Sequence, residues 1–282
     1  MADDMALKAR YAVYFVPEAG TALTRLGAPL LGRDSETGQP LPQPSLPGFP
    51  PPELRALTAE ARRYGLHATL KAPFFLQPGV NERDLLLFVD DFVVGRSPIV
   101  LPRLMLQRIG SFFALTPSDE TPQAREAIRR LNVLAAETVS LFEPFRAELT
   151  AQEIARRQPQ ALTARQRSLL AEWGYPYVFE EYRFHLTLTD RLRDEAAARL
   201  MQHNLQAYLA SVCDEALTIS SICICRQVVH DRASGLGAHA SNDAAFTPLK
   251  RFYFRPARQA SFHANCDPSR TAPLSADITS LT

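Results

Sequence analysis

Hydrophobic positions recur along the chain with two different spacings, which predict strands in some segments and helices in others. Residues 10–16 are mostly aromatic or β-branched and end at Pro17, so they predict a first strand in the centre of a sheet. Apolar residues at helical spacing predict helices over 52–63, 81–94, 163–173 and 195–209 and one that begins near 121. Further strands are predicted over 98–107, 111–116, 217–228 and 246–254. This order of elements occurs about twice, which favours an ancient duplication.

A four-residue phrase also occurs twice, as HATL at 67–70 and HLTL at 185–188. Each copy lies in a segment predicted to be a strand, the second over 182–189. Alternate side chains of a strand point to opposite faces, so each strand carries one apolar face and one polar face. The polar faces contain His67, Thr69 and Lys71 in the first strand and Arg183, His185 and Thr187 in the second. Such residues in register are typical of strands that line a cleft.

Two imidazoles and two hydroxyls suit acid and base chemistry on a phosphate. A single His-x-Thr in a strand is more often structural, but two copies with a basic residue on the same face favour function. We therefore predict His67 and His185 as acid and base, in an order that the residues leave open. The predicted phosphate ligands are Thr69, Thr187, Lys71 and Arg183. Tyr64 and Tyr14 are candidate substrate contacts.

The amino-acid composition disfavours nucleic acid and membranes as partners. The 282 residues contain 31 basic and 30 acidic side chains, so no general charge attracts nucleic acid or an anionic membrane. The four cysteines lack CxxC spacing, and the two phrases contain no carboxylate, so we expect no metal and no cofactor. No leader or membrane-spanning segment is recognised, and we expect a cytoplasmic monomer with free thiols.

Other segments have less specific patterns. Seven prolines between 39 and 52 predict an extended loop that either covers a cleft or connects two elements. The aromatic residues at 173–179 either pack in the core or stack on a base or sugar. The segment 256–282 has no hydrophobic period and predicts a disordered tail.

The two phrases resemble the paired His-x-Thr motifs of the two-histidine phosphoesterase superfamily. That resemblance implies a bilobal α+β fold, in which two antiparallel sheets related by a pseudo-twofold axis face a central cleft. It places one domain over 1–255, with lobes near 10–116 and 117–255, and leaves open an exchange of strands between the lobes. Segments 10–17, 31–38 and 63–74 further resemble a bacterial branch that is associated with phosphonate metabolism.

The resemblance also implies metal-independent hydrolysis of cyclic or 2′,5′-linked phosphodiesters, with the histidines as acid and base and the threonines on the phosphate. We expect the substrate to be a small cyclic sugar or nucleoside phosphate, such as a ribosyl cyclic phosphate. RNA ends are a less favoured partner. The alternatives are a binding module for phosphate ligands or RNA ends that does no chemistry, and a ligase that joins RNA ends through a 2′,5′ bond.

Overall fold

Strands and helices alternate along the residues that the computed structural model describes, which are 8–151, 153–154, 162–229 and 245–257. The strands are β1 (Lys8–Phe15), β2 (Ala68–Phe75), β3 (Ile99–Leu101), β4 (Leu104–Ile109), β5 (Phe112–Pro117), β6 (Leu186–Thr187), β7 (Leu217–Ile219), β8 (Ser221–Val229) and β9 (Thr247–Tyr253). The α-helices are α1 (Ala22–Leu31), α2 (Pro51–Leu57), α3 (Ala59–Tyr64), α4 (Glu82–Phe92), α5 (Pro122–Leu141), α6 (Ala164–Trp173), α7 (Glu195–Tyr208) and α8 (Ala210–Cys213). Almost all of the predicted tail, from 258 onward, lies outside these residues.

The strands form a four-stranded sheet in the order β2-β1-β8-β9, a three-stranded sheet β4-β5-β6 and a pair β3-β7. All pairings between these strands are antiparallel, which confirms the α+β class with antiparallel sheets. Strand β1 lies between β2 and β8, so the prediction of a central first strand is also confirmed. The two histidine phrases belong to different sheets, since β2 follows the first histidine and β6 follows the second.

Each sheet draws strands from both halves of the sequence. Strands β8 and β9 complete the sheet that β1 and β2 begin, and β6 adds to the β4-β5 hairpin. At Ser220 the chain leaves the pairing of β7 with β3 and enters the pairing of β8 with β1. The two halves are therefore held together by backbone hydrogen bonds within each sheet, while the positions of the lobe boundaries stay a prediction.

Three predicted elements are shorter or divided in the structure. The helix predicted over 52–63 is split into α2 and α3 at Thr58, whose hydroxyl donates to the Leu54 carbonyl. Pro102 separates β3 from β4, because proline has no N–H for a strand ladder. The strand predicted over 182–189 contains regular pairing only at β6, and His185 lies just before it.

The core is built from the apolar faces of the large sheet and the helices. Leu66, Ala68 and Leu70 are buried in it beside Leu85 of α4 and Leu131 of α5. Helix α5 packs across β2, the strand that follows the first histidine. Among the described residues, no helix combines the length and the apolar content needed to cross a bilayer.

Candidate active site

His67 lies in a short connection between α3 and β2. Helix α3 ends at Tyr64, and Gly65 follows with φ +72°, a conformation that side chains other than glycine rarely adopt. A Cβ atom at Gly65 would lie 3.2 Å from the Ser35 hydroxyl. That hydroxyl accepts a hydrogen bond of 2.7 Å from the Leu66 N–H. The backbone just before His67 is therefore constrained by the Gly65 conformation and by this hydrogen bond.

The His67 imidazole is half-buried and held at Nδ1. This nitrogen is 2.9 Å from the Gly65 carbonyl oxygen, which can only accept, so in the neutral ring Nδ1 carries the hydrogen. The other nitrogen, Nε2, is then unprotonated and lies 3.3 Å from the Thr69 hydroxyl. The Tyr14 ring packs against the imidazole, with 4.1 Å between ring centroids. Nε2 is therefore the nitrogen that is available for proton transfer.

His185 repeats this arrangement in the other sheet. Its Nδ1 is 2.8 Å from the Arg183 carbonyl oxygen, which lies two residues earlier, as Gly65 does for His67. Its ring lies 5.9 Å from the ring of Phe112 at the start of β5. Thr187, two residues after His185, pairs with Ala114 of β5. Both imidazoles thus share one tautomer in the neutral state, and each has a threonine at the same spacing.

The four predicted groups line two neighbouring cavities. One cavity, of about 480 Å³, is lined by Thr69 and His185, and the other, of about 560 Å³, is lined by His67 and Thr187. Phe112 lies in both linings, and so does Arg191. The structure therefore brings the two phrases to one cleft, in which each cavity is lined by one histidine and by the threonine of the other phrase.

The electrostatic surroundings favour a neutral His67. Burial lowers the pKa of His67 to about 4, and the nearby charges of His185 and Arg33 lower it as well, although the hydrogen bond to Gly65 opposes them. Arg33 is itself buried, and its guanidinium donates to the carbonyls of Arg62, Arg63 and Phe246. A buried cation therefore sits behind the connection that carries His67.

The structure corrects the prediction that Lys71 binds phosphate. Its side chain is 4% exposed, and its ammonium donates to the Val139 carbonyl and to a Glu143 carboxylate oxygen, both at 2.8 Å. Burial lowers the pKa of Lys71, while the Glu143 carboxylate opposes that shift. The prediction assumed regular alternation after Thr69, but the ladder between β1 and β2 has irregular register there. The end of α5 and the residues just after it supply the partners of Lys71.

The two tyrosines predicted to contact substrate have different positions. Tyr14 is only 1% exposed and packs behind the His67 ring, so the structure corrects its assignment as a substrate contact. Tyr64 is half-buried, lines the cavity of His67 and stacks on Phe246 at 5.4 Å, so it stays a candidate contact. Burial raises the pKa of Tyr14 well above its usual value, which keeps that hydroxyl neutral.

The remaining candidates are placed as follows. The exposed Arg183 lines the cavity of His185. Trp173 and Phe179 pack on each other in a small core cluster, whereas Tyr175 and Tyr177 line the cavity of His185. The cysteines within the described residues are free thiols, and burial raises the pKa of Cys223 to about 12. Among the described residues, no three metal-ligating side chains come together.

Sequence reasoning missed Asp190, which connects the two phrases. Its carboxylate oxygens accept hydrogen bonds of 2.9 and 3.0 Å from the Glu60 and Ala61 N–H groups in the first turn of α3. Its own N–H donates to the Leu57 carbonyl. Asp190 follows His185 by five residues, and α3 ends three residues before His67. An acid capping a helix that precedes it by 130 residues leaves no local signal in the sequence.

Arg191 and Arg193 were also missed. Both are exposed, and both line the cavity that contains His67. Within the part of the chain that the structure describes, neither guanidinium has a hydrogen-bond or ion-pair partner. In the sequence they lie six and eight residues after His185. This spacing indicates a place in the site only when the geometry of the cleft is known.

A family model described as a protein of unknown function, DUF1045, matches residues 69–233, which is more than half of the chain. The chain belongs to the DUF1045 family. The DUF1045 match begins at Thr69, just after the first histidine, and contains the second phrase completely. The paired His-x-Thr phrases of this DUF1045 chain resemble those of the two-histidine phosphoesterases.

Two curated relatives carry the name ribose 1,5-bisphosphate phosphokinase PhnN. The relative from Janthinobacterium sp. (strain Marseille) is 39% identical over 221 residues, which cover 77% of the DUF1045 chain and 47% of the relative. The relative from Laribacter hongkongensis (strain HLHK9) is 34% identical over 190 residues, which cover 65% of this chain and 40% of the relative. The DUF1045 chain thus spans less than half the length of either relative.

Solved structures with some likeness include E. coli LigT complexed with 3′-AMP, at 13% identity and a TM-score of 0.37, covering 88% of this chain and 99% of that chain. A structure titled as a phosphoesterase matches at 12% identity and a TM-score of 0.33, covering 87% and 98%. TM-scores this low do not establish a shared fold on their own.

Proposed function

We propose that this DUF1045 chain is a phosphodiesterase that opens a small cyclic sugar or nucleoside phosphate, with His67 and His185 as base and acid. The observation that carries the proposal is the matched pair of imidazoles. In each, Nδ1 is held by the carbonyl two residues earlier, which leaves Nε2 for proton transfer, and in His67 this nitrogen lies beside the Thr69 hydroxyl. The adjoining cavities bring the two pairs to one cleft.

The proposed reaction needs one proton taken and one proton given. His67 Nε2 takes a proton from water as the water oxygen forms a bond to phosphorus. The bond between phosphorus and one ring oxygen breaks, and His185 Nε2 gives its proton to that oxygen. The hydroxyls of Thr69 and Thr187 donate hydrogen bonds to the non-bridging oxygens, where charge develops. The product is an open phosphomonoester with a free hydroxyl on the sugar.

The assignment of His67 as the base follows from its surroundings. A base must be unprotonated when water arrives, and a pKa of about 4 keeps His67 neutral near pH 7. The hydrogen on Nδ1 is held by Gly65, so the unprotonated nitrogen of neutral His67 is Nε2. His185 then takes the role of the acid, with protons on both nitrogens at the start of the reaction.

The pH dependence of hydrolysis tests this assignment. Because protonation of His67 removes the base, kcat/KM should rise with increasing pH through an acid limb near pH 4 and not near the ordinary histidine value of 6.5. The measurement is kcat/KM between pH 3.5 and 9 in buffers of constant ionic strength. A parallel scan of circular dichroism separates loss of the base from acid unfolding. An acid limb near pH 6.5 in folded protein would contradict His67 as the base.

The names of the relatives favour one substrate within the proposed class. Their name specifies a phosphokinase of ribose 1,5-bisphosphate, in proteins of more than twice the matched length. The present sequence contains no G-x-x-x-x-G-K-[ST] run, a common nucleotide-binding loop of kinases. If water opens 5-phosphoribosyl 1,2-cyclic phosphate with release of the 2-oxygen, the product is ribose 1,5-bisphosphate. We therefore propose a role in phosphonate metabolism through that compound.

A panel of cyclic phosphates tests the proposed function. Purified chain is incubated with 2′,3′-cyclic nucleotides and with 5-phosphoribosyl 1,2-cyclic phosphate in the presence of EDTA, and phosphorus NMR follows the products. We expect conversion of at least one diester to a monoester at an unchanged rate with EDTA. Tight binding of a cyclic nucleotide without turnover would replace the proposal with a binding module. Loss of activity with EDTA would overturn the metal-independent mechanism.

A further inference from the structure

Arg191 and Arg193 stand out among the cleft residues because they flank an anchored core residue. Leu192, between them, is 3% exposed, and its N–H donates to the Ser111 carbonyl at 2.6 Å. The Leu192 carbonyl accepts from the Arg108 guanidinium at 3.3 Å. Both the N–H and the carbonyl of Leu192 are thus hydrogen-bonded, while the two exposed arginines on either side of it line the same cavity.

The acidic residues in that cavity are already engaged. Both oxygens of Asp190 accept backbone hydrogen bonds from α3, and Glu60 lies 3.4 Å from Arg63. Neither carboxylate forms an ion pair with Arg191 or Arg193, which have no hydrogen-bond or ion-pair partner among the described residues. By contrast, the neighbouring Arg108 is paired with Glu195 through two oxygens. The cavity lining that contains His67 therefore also contains two guanidiniums without an ion-pair partner among the described residues.

We propose that Arg191 and Arg193 form a second anion subsite, which binds a phosphomonoester carried by the same substrate whose cyclic diester reacts. This inference rests on the proposed function and adds a substrate class to it. The threonine hydroxyls and the imidazoles already serve the reacting phosphate, which carries one negative charge. A monoester carries close to two charges at neutral pH, and two guanidiniums match it in charge and in hydrogen-bond donors.

The subsite predicts a preference among substrates. A site built to bind a charged group discriminates strongly against an analogue that lacks it. We expect kcat/KM for 5-phosphoribosyl 1,2-cyclic phosphate to exceed that for ribosyl 1,2-cyclic phosphate by about 100-fold. The substitutions Arg191→Gln and Arg193→Gln together should reduce this ratio to about 1. They should do so mainly through the substrate that carries the monoester.

Arg199→Gln is the matched control. Arg199 is an exposed arginine on α7, close in sequence to the pair and outside both cavity linings. The control should keep the wild-type ratio, and thermal unfolding should show that all variants are folded. A wild-type ratio near 1, or a double variant that keeps the wild-type preference, would overturn the subsite while leaving the diesterase activity intact.

Failure of the proposed function gives a different result. If wild-type protein hydrolyses neither diester, the diesterase proposal is wrong, and calorimetric titration with ribose 5-phosphate then tests the subsite. At least tenfold weaker binding by the double variant, with unchanged binding by Arg199→Gln, would support a phosphomonoester site. Equal binding by all three proteins, or none, would overturn it.

Discussion

Replacing either imidazole should abolish most of the hydrolysis: His67→Ala and His185→Ala are each expected to lower kcat/KM for the preferred cyclic phosphate by about 10²–10⁴-fold. His67→Ala leaves water without a base, and His185→Ala leaves the departing oxygen without a proton donor. Initial rates from phosphorus NMR or a coupled phosphatase assay measure the loss. Each variant should still bind substrate, since the threonine hydroxyls remain.

The two histidines should also behave as one unit. Because one turnover of the proposed reaction needs both imidazoles, the double variant should lose little more activity than the worse single variant. His203→Ala is the matched control, since His203 lies exposed on α7 away from both cavities. Its kcat/KM should stay within about twofold of wild type. Full activity in either single active-site variant would refute the two-histidine mechanism.

The largest effect on stability is expected for Glu143→Ala, at about 3 kcal/mol of lost unfolding free energy. Glu143 accepts from the buried Lys71 ammonium with one oxygen and from Arg146 with the other. Removing the carboxylate leaves the Lys71 charge buried, with the Val139 carbonyl as its remaining acceptor among the described residues. Urea unfolding at pH 7 measures the change, provided that the transition is two-state.

A second substitution separates the charge from the packing. In a Lys71→Met background the same Glu143→Ala change should cost much less, because no buried ammonium is left without its anion. Glu180→Ala, which breaks the exposed pair with Arg165, is the matched control and should have no measurable effect. Lys71→Met should also keep kcat/KM near wild type. A large loss of activity with unchanged stability would restore Lys71 as a phosphate ligand.

Local patterns predicted much of the fold. The central position of β1 follows from its aromatic and β-branched run, and helix α4 starts where Asn81 provides a capping box. Pairing over long distances could not be predicted in this way. The division of 217–228 at Ser220 depends on two different partner strands, β3 and β1, and the local sequence contains neither. The expected cytoplasmic location and monomeric state stay predictions.

The parts of the site that depend on short spacings in the sequence could be predicted. The His-x-Thr spacing places Thr69 beside the His67 imidazole, and the structure brings the two phrases to one cleft. Lys71 was assigned wrongly because its partner, Glu143, lies 72 residues away on the segment that covers β2. Tyr14 was assigned wrongly because alternation along β1 does not show that Phe246 and the His67 ring cover the face that carries it. The place of Arg191 in the site could be recognised only from the cavities that it lines.

The Asp190 cap on α3 determines at which stage the entropy of bringing the two halves of the site together is lost. One carboxylate joins the segment after His185 to the helix before His67, and the groups that donate to it are backbone N–H groups of the protein itself. The orientational entropy of bringing the two imidazoles together is therefore lost on folding and not in each turnover. A substrate enters a preorganised site, so its binding energy remains available for stabilising the transition state.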